Sequence, residues 1–267
     1  MLDAQMTDLE TFARCLHTRV CPLYRKERKR AFLVGTGIPL TSASGDYVIT
    51  ASHVLDELPD NIVITAGTKS LLHFQARSIS YGYVDGETVD ADVGVVRLPV
   101  EAARDLSSRY RFTTPEEFGV VAEYDKFTLY AFVGYPHTRN KPKPVALPEL
   151  RATPTFLILR EFSDVAPFVS SGKRPEVHFA LQAPLDKAKD FDSQAVALPK
   201  LQGMSGGGVW RVDIDRRDGT LASVALVGVG IEYRPTESTI VATRIQYVLG
   251  LLKNELWAPK LVGTTGI

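Results

Sequence analysis

Residues 202–210 read Gln-Gly-Met-Ser-Gly-Gly-Gly-Val-Trp, which places one serine in a glycine-rich turn that runs directly into an apolar segment. Glycine adopts backbone angles that other residues avoid, so the N–H groups of Gly203 and Ser205 can point the same way. A hydroxyl beside two convergent N–H groups suits acyl transfer, because the oxyanion that forms on attack needs hydrogen-bond donors. An ordinary glycine-rich hairpin turn explains the same stretch equally well.

The base that would activate Ser205 has to come from earlier in the chain. All five histidines precede this serine, and they are His17, His53, His73, His137 and His178. Residues 203–207 also match the G-x-S-x-G turn of α/β-hydrolases, in which the catalytic histidine follows the serine. The α/β-hydrolase interpretation therefore fails on chain order, and the order His, Asp, Ser remains open.

His53 is the strongest candidate for the base. Residues 47–55 read Tyr-Val-Ile-Thr-Ala-Ser-His-Val-Leu, which predicts a strand whose end presents an imidazole to a cleft. A second strand is predicted over Ala31–Leu40, and the polar turn at 42–46 joins the two as a hairpin. A histidine that only satisfies its hydrogen bonds at a strand end is the competing interpretation.

Asp92 is the candidate acid because it leads directly into the apolar run Val93–Leu98. A carboxylate at the edge of a buried strand is costly unless it is paired, and a histidine Nδ1–H would pair it. Asp90 competes for this role, since it has the same strand parity and alternation does not separate the two aspartates. A strand start with both aspartates solvated is the alternative.

Together these segments resemble the chymotrypsin-like (trypsin-like) serine peptidases, and most closely the disulfide-free bacterial type of the HtrA-like and glutamyl endopeptidase relatives. The resemblance covers residues 18–250 and rests on Gly35–Gly37, Ile49–Leu55, Asp92–Val96, Gly134–Pro136 and Gly203–Gly207. It implies a His53, Asp92, Ser205 triad that hydrolyses peptide bonds through an acyl-enzyme, with Gly203 and Ser205 as the oxyanion hole.

The resemblance also implies an all-β fold of two packed six-stranded antiparallel β-barrels with a C-terminal helix. The first barrel would span residues 18–115 and carry His53 and Asp92, and the second would span 116–242 and carry Ser205. An N-terminal extension over 1–17 holds a predicted helix at Asp3–Leu16. Residues 243–252 repeat apolar side chains at helical spacing, which predicts a C-terminal helix within the helix and tail over 243–267. Strand-like runs separated by turn residues independently favour a β-barrel or sandwich; they are Asn61–Ala66, Phe74–Ser80, Val93–Leu98, Lys126–Val133, Thr155–Leu159, Val177–Leu181, Gly208–Val212 and Val224–Ile231.

Substrate binding is predicted from the same resemblance. In the family, the residue six positions before the serine helps form the base of the primary pocket, and here it is Pro199, so a preference for Lys or Arg is not supported. Ile231, Glu232 and Tyr233, on the strand after the serine, would shape the pocket. Gly228 and Gly230 on this strand permit either close packing or pocket depth.

Met204 departs from the pattern of the secreted relatives. Those enzymes carry an aspartate immediately before the serine, and it pairs with a freshly cut N-terminus to build the oxyanion hole. Met204 cannot form that ion pair, so activation by such cleavage is not expected. The hole would form unaided, or would be ordered by a regulatory protein partner or by bound substrate.

Composition restricts the class of protein and its partners. The 267 residues carry 31 basic and 31 acidic side chains, and this neutral balance argues against a nucleic-acid or anionic-membrane binder. No apolar run is long enough to span a membrane, and the first residues do not form a secretory signal. The only cysteines, Cys15 and Cys21, favour a cytoplasmic location. No metal or cofactor is expected, because neither metal-ligand spacing nor a phosphate-binding loop is present.

The sequence thus predicts a serine endopeptidase that acts on a limited set of intracellular protein substrates. One alternative is a silent or latent chymotrypsin-fold binding or scaffold module that needs a partner to become active, and another is an esterase with the same triad. Residues 137–200 are rich in prolines and polar turns, and are expected to form long loops or hairpins on the second barrel. These would gate the cleft or bind a partner, or would be plain surface insertions.

Overall fold

A computed structural model describes residues 11–58, 62–66, 70–74, 77–84, 87–121, 127–144, 152–159, 162–163, 172–187 and 197–253. These residues form two antiparallel β-sheets with few helices, which confirms the all-β prediction. Residues 11–17 are helical, and the remainder of the helix predicted over Asp3–Leu16 lies outside the described residues, as does the tail after residue 253.

The first sheet is built mainly from the N-terminal half of the chain. Its longer strands are β1 (Cys21–Glu27), β2 (Arg30–Ser42), β3 (Gly45–Ala51), β4 (Ile62–Ala66), β5 (Ser70–Phe74), β6 (Arg77–Val84) and β7 (Glu87–Arg97), in the order β5-β4-β1-β2-β3-β7-β6. Strand β2 changes partner along its length, because its first half pairs with β1 and its second half with β3. Strand β3 also pairs with the second half of β7, so that Ala51 at its end lies opposite Val93, next to the positions of His53 and Asp92.

The second sheet is built from the C-terminal half. Its strands are β8 (Thr128–Gly134), β10 (Thr155–Leu159), β11 (Phe162–Ser163), β12 (His178–Gln182), β13 (Gly208–Ile214), β14 (Leu221–Arg234) and β15 (Thr239–Arg244), in the order β10-β8-β13-β14-β15-β12-β11. The intervening β9 (Lys143–Pro144) crosses to the first sheet and pairs with Arg30 and Ala31.

The strand numbers differ from the predicted six in each barrel. Among the described residues, the sheets contain eight and seven strands, and two of these, β9 and β11, are only two residues long. Such short pairings satisfy backbone groups of a connecting segment on an open sheet edge. The single strand predicted over Phe74–Ser80 is also wrong, because this stretch holds the end of β5 and the start of β6.

Within the described part of the chain, three short helices join or follow the strands, namely α1 (Ser52–Asp56), α2 (Val100–Ser107) and α3 (Ile245–Lys253). The predicted C-terminal helix is present as α3, and it buries Ile245 and Val248 in the core. Helix α2 was not predicted, although its buried Ala102, Ala103 and Leu106 follow helical spacing. No helix among the described residues is long and apolar enough to cross a membrane.

The largest cluster of buried apolar side chains among the described residues draws on both sheets. Its buried side chains come from the first sheet, such as Ile38 and Ile49, and from the second, such as Val133, Trp210 and Val229. Burial of these shared apolar side chains holds the two sheets against each other. Polar side chains at the edges of the two sheets therefore come to line the same cleft.

Candidate active site

His53 lies at the start of a helix and not at the strand end that the sequence predicted. Strand β3 ends at Ala51 and α1 begins at Ser52, so His53 is the second residue of this helix. The first N–H groups of a helix have no partner within it. Here the carboxylate of Asp92 supplies one, since its Oδ1 accepts the His53 backbone N–H at 3.1 Å and the Ser52 hydroxyl at 2.8 Å.

The imidazole of His53 is bonded to the same carboxylate. Its Nδ1 lies 2.8 Å from Oδ2 and 3.0 Å from Oδ1 of Asp92, a geometry in which the Nδ1–H donates. The His53 side chain is 45% exposed whereas that of Asp92 is 13% exposed, so the ring faces the cleft and the carboxylate lies behind it. This pair leaves Nε2 of His53 as the nitrogen available for proton transfer.

Electrostatics favours the charged forms of both partners. The hydrogen bond to Asp92 raises the pKa of His53 above its ordinary value, despite the opposing effect of partial burial. Burial acts to raise the pKa of Asp92, but the hydrogen bonds and the charge of His53 outweigh it, so the pKa ends below the ordinary value. An ionised Asp92 therefore stabilises an imidazolium at His53.

A β-bulge decides which aspartate reaches His53. Where β7 pairs with β6, Val93 lies opposite Ile79, but the next pair joins Asp90 to Tyr81, so the register shifts between them. Asp92 lies in this bulge and adopts a left-handed backbone conformation with φ of 46°. The shift breaks the parity that made the two aspartates equivalent in the sequence. Asp92 consequently turns towards His53, while the exposed Asp90 accepts the Asp92 N–H through its side chain at 3.0 Å.

Ser205 sits in a turn whose glycines cannot readily be replaced. Gly203 and Gly206 have φ of 91° and 84°, and a Cβ on Gly206 would lie 2.0 Å from the carbonyl oxygen of Thr36. The Ser205 hydroxyl donates to the carbonyl of Ile231 at 3.3 Å. Among the described residues, no hydrogen bond joins Ser205 to His53, although both line the same cavity.

Two peptide groups around Ser205 are oriented by hydrogen bonds to their carbonyls. The Gln202 carbonyl accepts the His137 N–H at 2.8 Å, and the Met204 carbonyl accepts the Gly207 N–H at 2.9 Å. In a trans peptide the N–H points opposite to the carbonyl, so the N–H groups of Gly203 and Ser205 each point away from the bonded carbonyl of their own peptide group. Neither of these two N–H groups has an acceptor within the described part of the chain.

One cavity of about 740 Å³ contains the three candidate catalytic residues together with the four residues predicted to bind substrate. Its lining is His53, Asp92, Leu185, Leu198, Pro199, Lys200, Leu201, Gln202, Ser205, Ile231, Glu232, Tyr233 and Pro235. A second cavity of equal volume lies beside α2 and holds none of these residues. Gly228 and Gly230 pack closely on Phe179 and Phe132, so their role is close packing and not pocket depth.

Two threonines near the site were not singled out from the sequence. Thr36 and Thr243 are both fully buried, and each donates a hydrogen bond from one sheet to the other. Thr36 lies within the quoted segment Gly35–Gly37, whose pattern carried no signal for this contact.

Within the described residues, no group of three or more His, Cys, Asp or Glu side chains is arranged to hold a metal ion.

No protein-family model matches the chain, and no curated protein matches it. Solved structures resemble it in chain path, including the serine protease domain of the Sesbania mosaic virus polyprotein, at 13% identity and a TM-score of 0.43 over 89% of this chain and 93% of that one. Catalytically active tobacco etch virus protease in complex with product is 12% identical, with a TM-score of 0.42 over 91% of this chain and 80% of that one. Both are viral proteases that are distant in sequence.

Proposed function

We propose that this protein is a chymotrypsin-like serine endopeptidase whose triad is His53, Asp92 and Ser205. The observation that carries the proposal is the double hydrogen bond from His53 to Asp92, in the cavity that Ser205 also lines. A histidine oriented by a largely buried carboxylate beside a serine hydroxyl is the arrangement of a general base and its nucleophile.

In the proposed mechanism, Nε2 of His53 accepts the proton of Ser205 as Oγ attacks the scissile carbonyl. The new Oγ–C bond gives a tetrahedral intermediate, and Asp92 stabilises the imidazolium that has formed. His53 then protonates the leaving amine, the C–N bond breaks and an acyl-enzyme remains. Water attacks this ester with His53 again as base, and the carboxylic acid product leaves with Ser205 restored.

The N–H groups of Gly203 and Ser205 are the proposed oxyanion hole. Their peptide groups are held in place before any substrate binds, because His137 and Gly207 bond the carbonyls on the opposite side. Preorganised donors of this kind stabilise the charge of the intermediate without reorganising. This support agrees with the prediction that no N-terminal cleavage is needed.

The substrate side chain next to the scissile bond is proposed to enter beside Pro199, Ile231, Glu232 and Tyr233. Glu232 is the one acidic side chain of this group, and its carboxylate is already paired with Arg234 at 3.1 Å. A substrate Lys or Arg would have to displace this partner, so apolar side chains are the better fit.

Cys15 and Cys21 are not disulfide-bonded, which supports intracellular protein substrates. The cytoplasmic location and the similarity to bacterial relatives stay predictions.

Labelling with a fluorophosphonate probe tests the proposal, since the probe reacts with activated serines. Wild-type protein should be labelled at Ser205, and Ser205→Ala should lose the label while it keeps its fold. Ser44→Ala, which alters an exposed serine, is the matched control and should be labelled like the wild type. Equal labelling of wild type and Ser205→Ala would remove Ser205 from the mechanism.

A latent module is the second candidate, and one observation favours it. The Ser205 hydroxyl donates to Ile231 and not to His53, so the nucleophile is turned away from its base. Rotation about χ1 of Ser205 would be needed to bring the two together, and a partner or substrate could drive it. The rate of labelling by the fluorophosphonate probe distinguishes an active enzyme from a latent module. If His53→Ala is labelled as fast as the wild type, His53 does not activate Ser205 and the isolated chain is latent.

A further inference from the structure

Two buried threonines cross the interface between the sheets in opposite directions. Thr36, on β2 of the first sheet, reaches the loop of Ser205, and Thr243, on β15 of the second sheet, reaches the strand of Asp92. Both side chains are 0% exposed, so each hydroxyl would be costly to bury without its partner.

Thr36 holds the Ser205 loop at two points. Its N–H donates to the Ser205 carbonyl at 2.8 Å, and its hydroxyl donates to the Gly203 carbonyl at 3.1 Å. The same hydroxyl accepts the Tyr135 N–H at 2.9 Å, which fixes the direction of its own proton. Gly203, which has φ of 91°, is therefore tied from the first sheet.

Thr243 holds the peptide group that precedes Asp92. Its hydroxyl donates to the Ala91 carbonyl at 2.5 Å, while the N–H of that same peptide donates to Asp90 on the other side. Hydrogen bonds therefore fix both the carbonyl and the N–H of this peptide, and Val177, in the turn before β12, packs against Val89 and Ala91 beside it. The left-handed conformation of Asp92 is a strained one that persists only where its surroundings over-determine it.

We propose that Thr36 and Thr243 are positioning residues of the catalytic machinery, through which each sheet aligns the catalytic group carried by the other. Thr36 positions the oxyanion loop, and Thr243 positions the backbone of Asp92 and, through its carboxylate, the ring of His53. Neither threonine touches substrate. This inference rests on the proposed function and adds to it the dependence of the triad on hydrogen bonds between the sheets.

The two threonines act on different parts of the site, so their loss should be distinguishable. Thr243→Val keeps the side-chain volume and removes the hydroxyl, which should loosen the contact between Asp92 and His53. The groups whose charges act on His53 are Asp92, Glu57 and Lys173, and only the first depends on Thr243. Thr36→Val should instead disturb the Gly203 peptide and leave the His53 pair intact.

The experiment measures kcat, KM and the pKa of His53, the last by NMR of its ring protons, in the full chain. Thr243→Val is expected to lower kcat/KM about 10- to 100-fold and to lower the pKa of His53. Thr36→Val is expected to lower kcat by at least about tenfold, with the pKa of His53 unchanged. Thr243→Ser and Thr36→Ser keep the hydroxyl and should restore most of the activity.

Thr128→Val is the matched control, because it removes a buried hydroxyl whose partner, Asp213, lies away from the site. It should change stability without changing kcat or the pKa of His53. The proposal is overturned if the two valine variants at positions 36 and 243 behave like this control. If the wild type itself shows no activity or labelling, the proposed function fails. The positioning roles are then tested by NMR alone, through the pKa of His53 in Thr243→Val and the Gly203 amide resonance in Thr36→Val. Either value unchanged from the wild type would overturn the role of that threonine.

Discussion

His53 donates two hydrogen bonds to Asp92, one from its ring and one from its backbone N–H. The same carboxylate therefore orients the imidazole and anchors the first turn of the helix that carries it. Because the Ser52 hydroxyl also donates to this carboxylate, Asp92 collects three donors from two consecutive residues. Any change at position 92 should affect both the chemistry of His53 and its placement.

Asp92→Asn should reduce kcat/KM by up to about 10⁴-fold, because the amide N–H₂ would face Nδ1 and favour the wrong tautomer of His53. Peptide hydrolysis and fluorophosphonate labelling both measure the loss. Asp90→Asn is the control, since its side-chain oxygen can still accept the Asp92 N–H, and it should stay near wild type. A larger loss at Asp90 than at Asp92 would show that the acid has been assigned to the wrong residue.

Activity should rise with pH through the pKa of His53, because only the neutral imidazole accepts the proton of Ser205. Asp92 raises that pKa, so the rise is expected above the ordinary histidine value. In Asp92→Asn the residual activity should rise at lower pH, since the partner that favoured the imidazolium has lost its charge. Profiles of kcat/KM against pH give both midpoints, and an unshifted midpoint in the variant would contradict the assignment.

Gly206→Ala should disrupt the Ser205 turn through both backbone strain and steric overlap. Gly172→Ala, which introduces only the backbone strain, separates these two causes. Both glycines have left-handed φ, of 84° and 83°, but an added Cβ meets the Thr36 carbonyl at 2.0 Å only at Gly206. Gly172→Ala should cost about 1–2 kcal/mol of unfolding free energy from backbone strain alone. Gly206→Ala should cost at least about 2 kcal/mol more and abolish labelling. Urea unfolding measures the difference; equal costs would refute the steric argument.

His178 should make the fold sensitive to acid. It is fully buried, and burial together with the charge of Lys173 lowers its pKa from 6.5 to about 4. Between these two values the unfolded chain binds a proton that the folded chain does not, so stability falls as the pH falls. The slope should reach about 1.4 kcal/mol per pH unit for this one group.

His178→Asn keeps an acceptor near the Arg174 N–H, which Nδ1 now accepts at 3.0 Å. The variant should be less stable at neutral pH but should lose less stability between pH 6.5 and 4. Unfolding in urea at several pH values provides the comparison. Parallel curves for variant and wild type would show that His178 does not titrate in this window.

The full chain should be active without removal of its N-terminus, because Met204 is buried in an apolar cluster where a new terminal amine would find no carboxylate. A chain without residues 1–10 should have the same kcat/KM. Truncation before Ala31 is not a usable test, since it removes β1, which lies between β2 and β4. A gain of activity in the shorter truncation would contradict this prediction.

The sequence predicted which residues form the candidate site, but not the local backbone structure that positions them. His53, Asp92 and Ser205 each stand where a polar side chain meets an apolar run, and that local contrast is visible without a fold. The choice between Asp90 and Asp92 was not visible, because it depends on a bulge that forms only when β7 pairs with β6. Helix α1 was also missed, since its five residues follow a strong strand pattern and are too few for a helical period.

By itself, then, the sequence determined the residue types and their order: a His, an Asp and a Ser beside apolar runs, glycines in the turn of the nucleophile, and alternating apolar runs that form sheets. The tertiary structure alone decided which groups meet. The buried hydroxyls of Thr36 and Thr243 find their partners 167 and 152 residues away in the chain. Contacts at such separation leave no periodicity in the sequence, because they exist only once both sheets have formed and share their core.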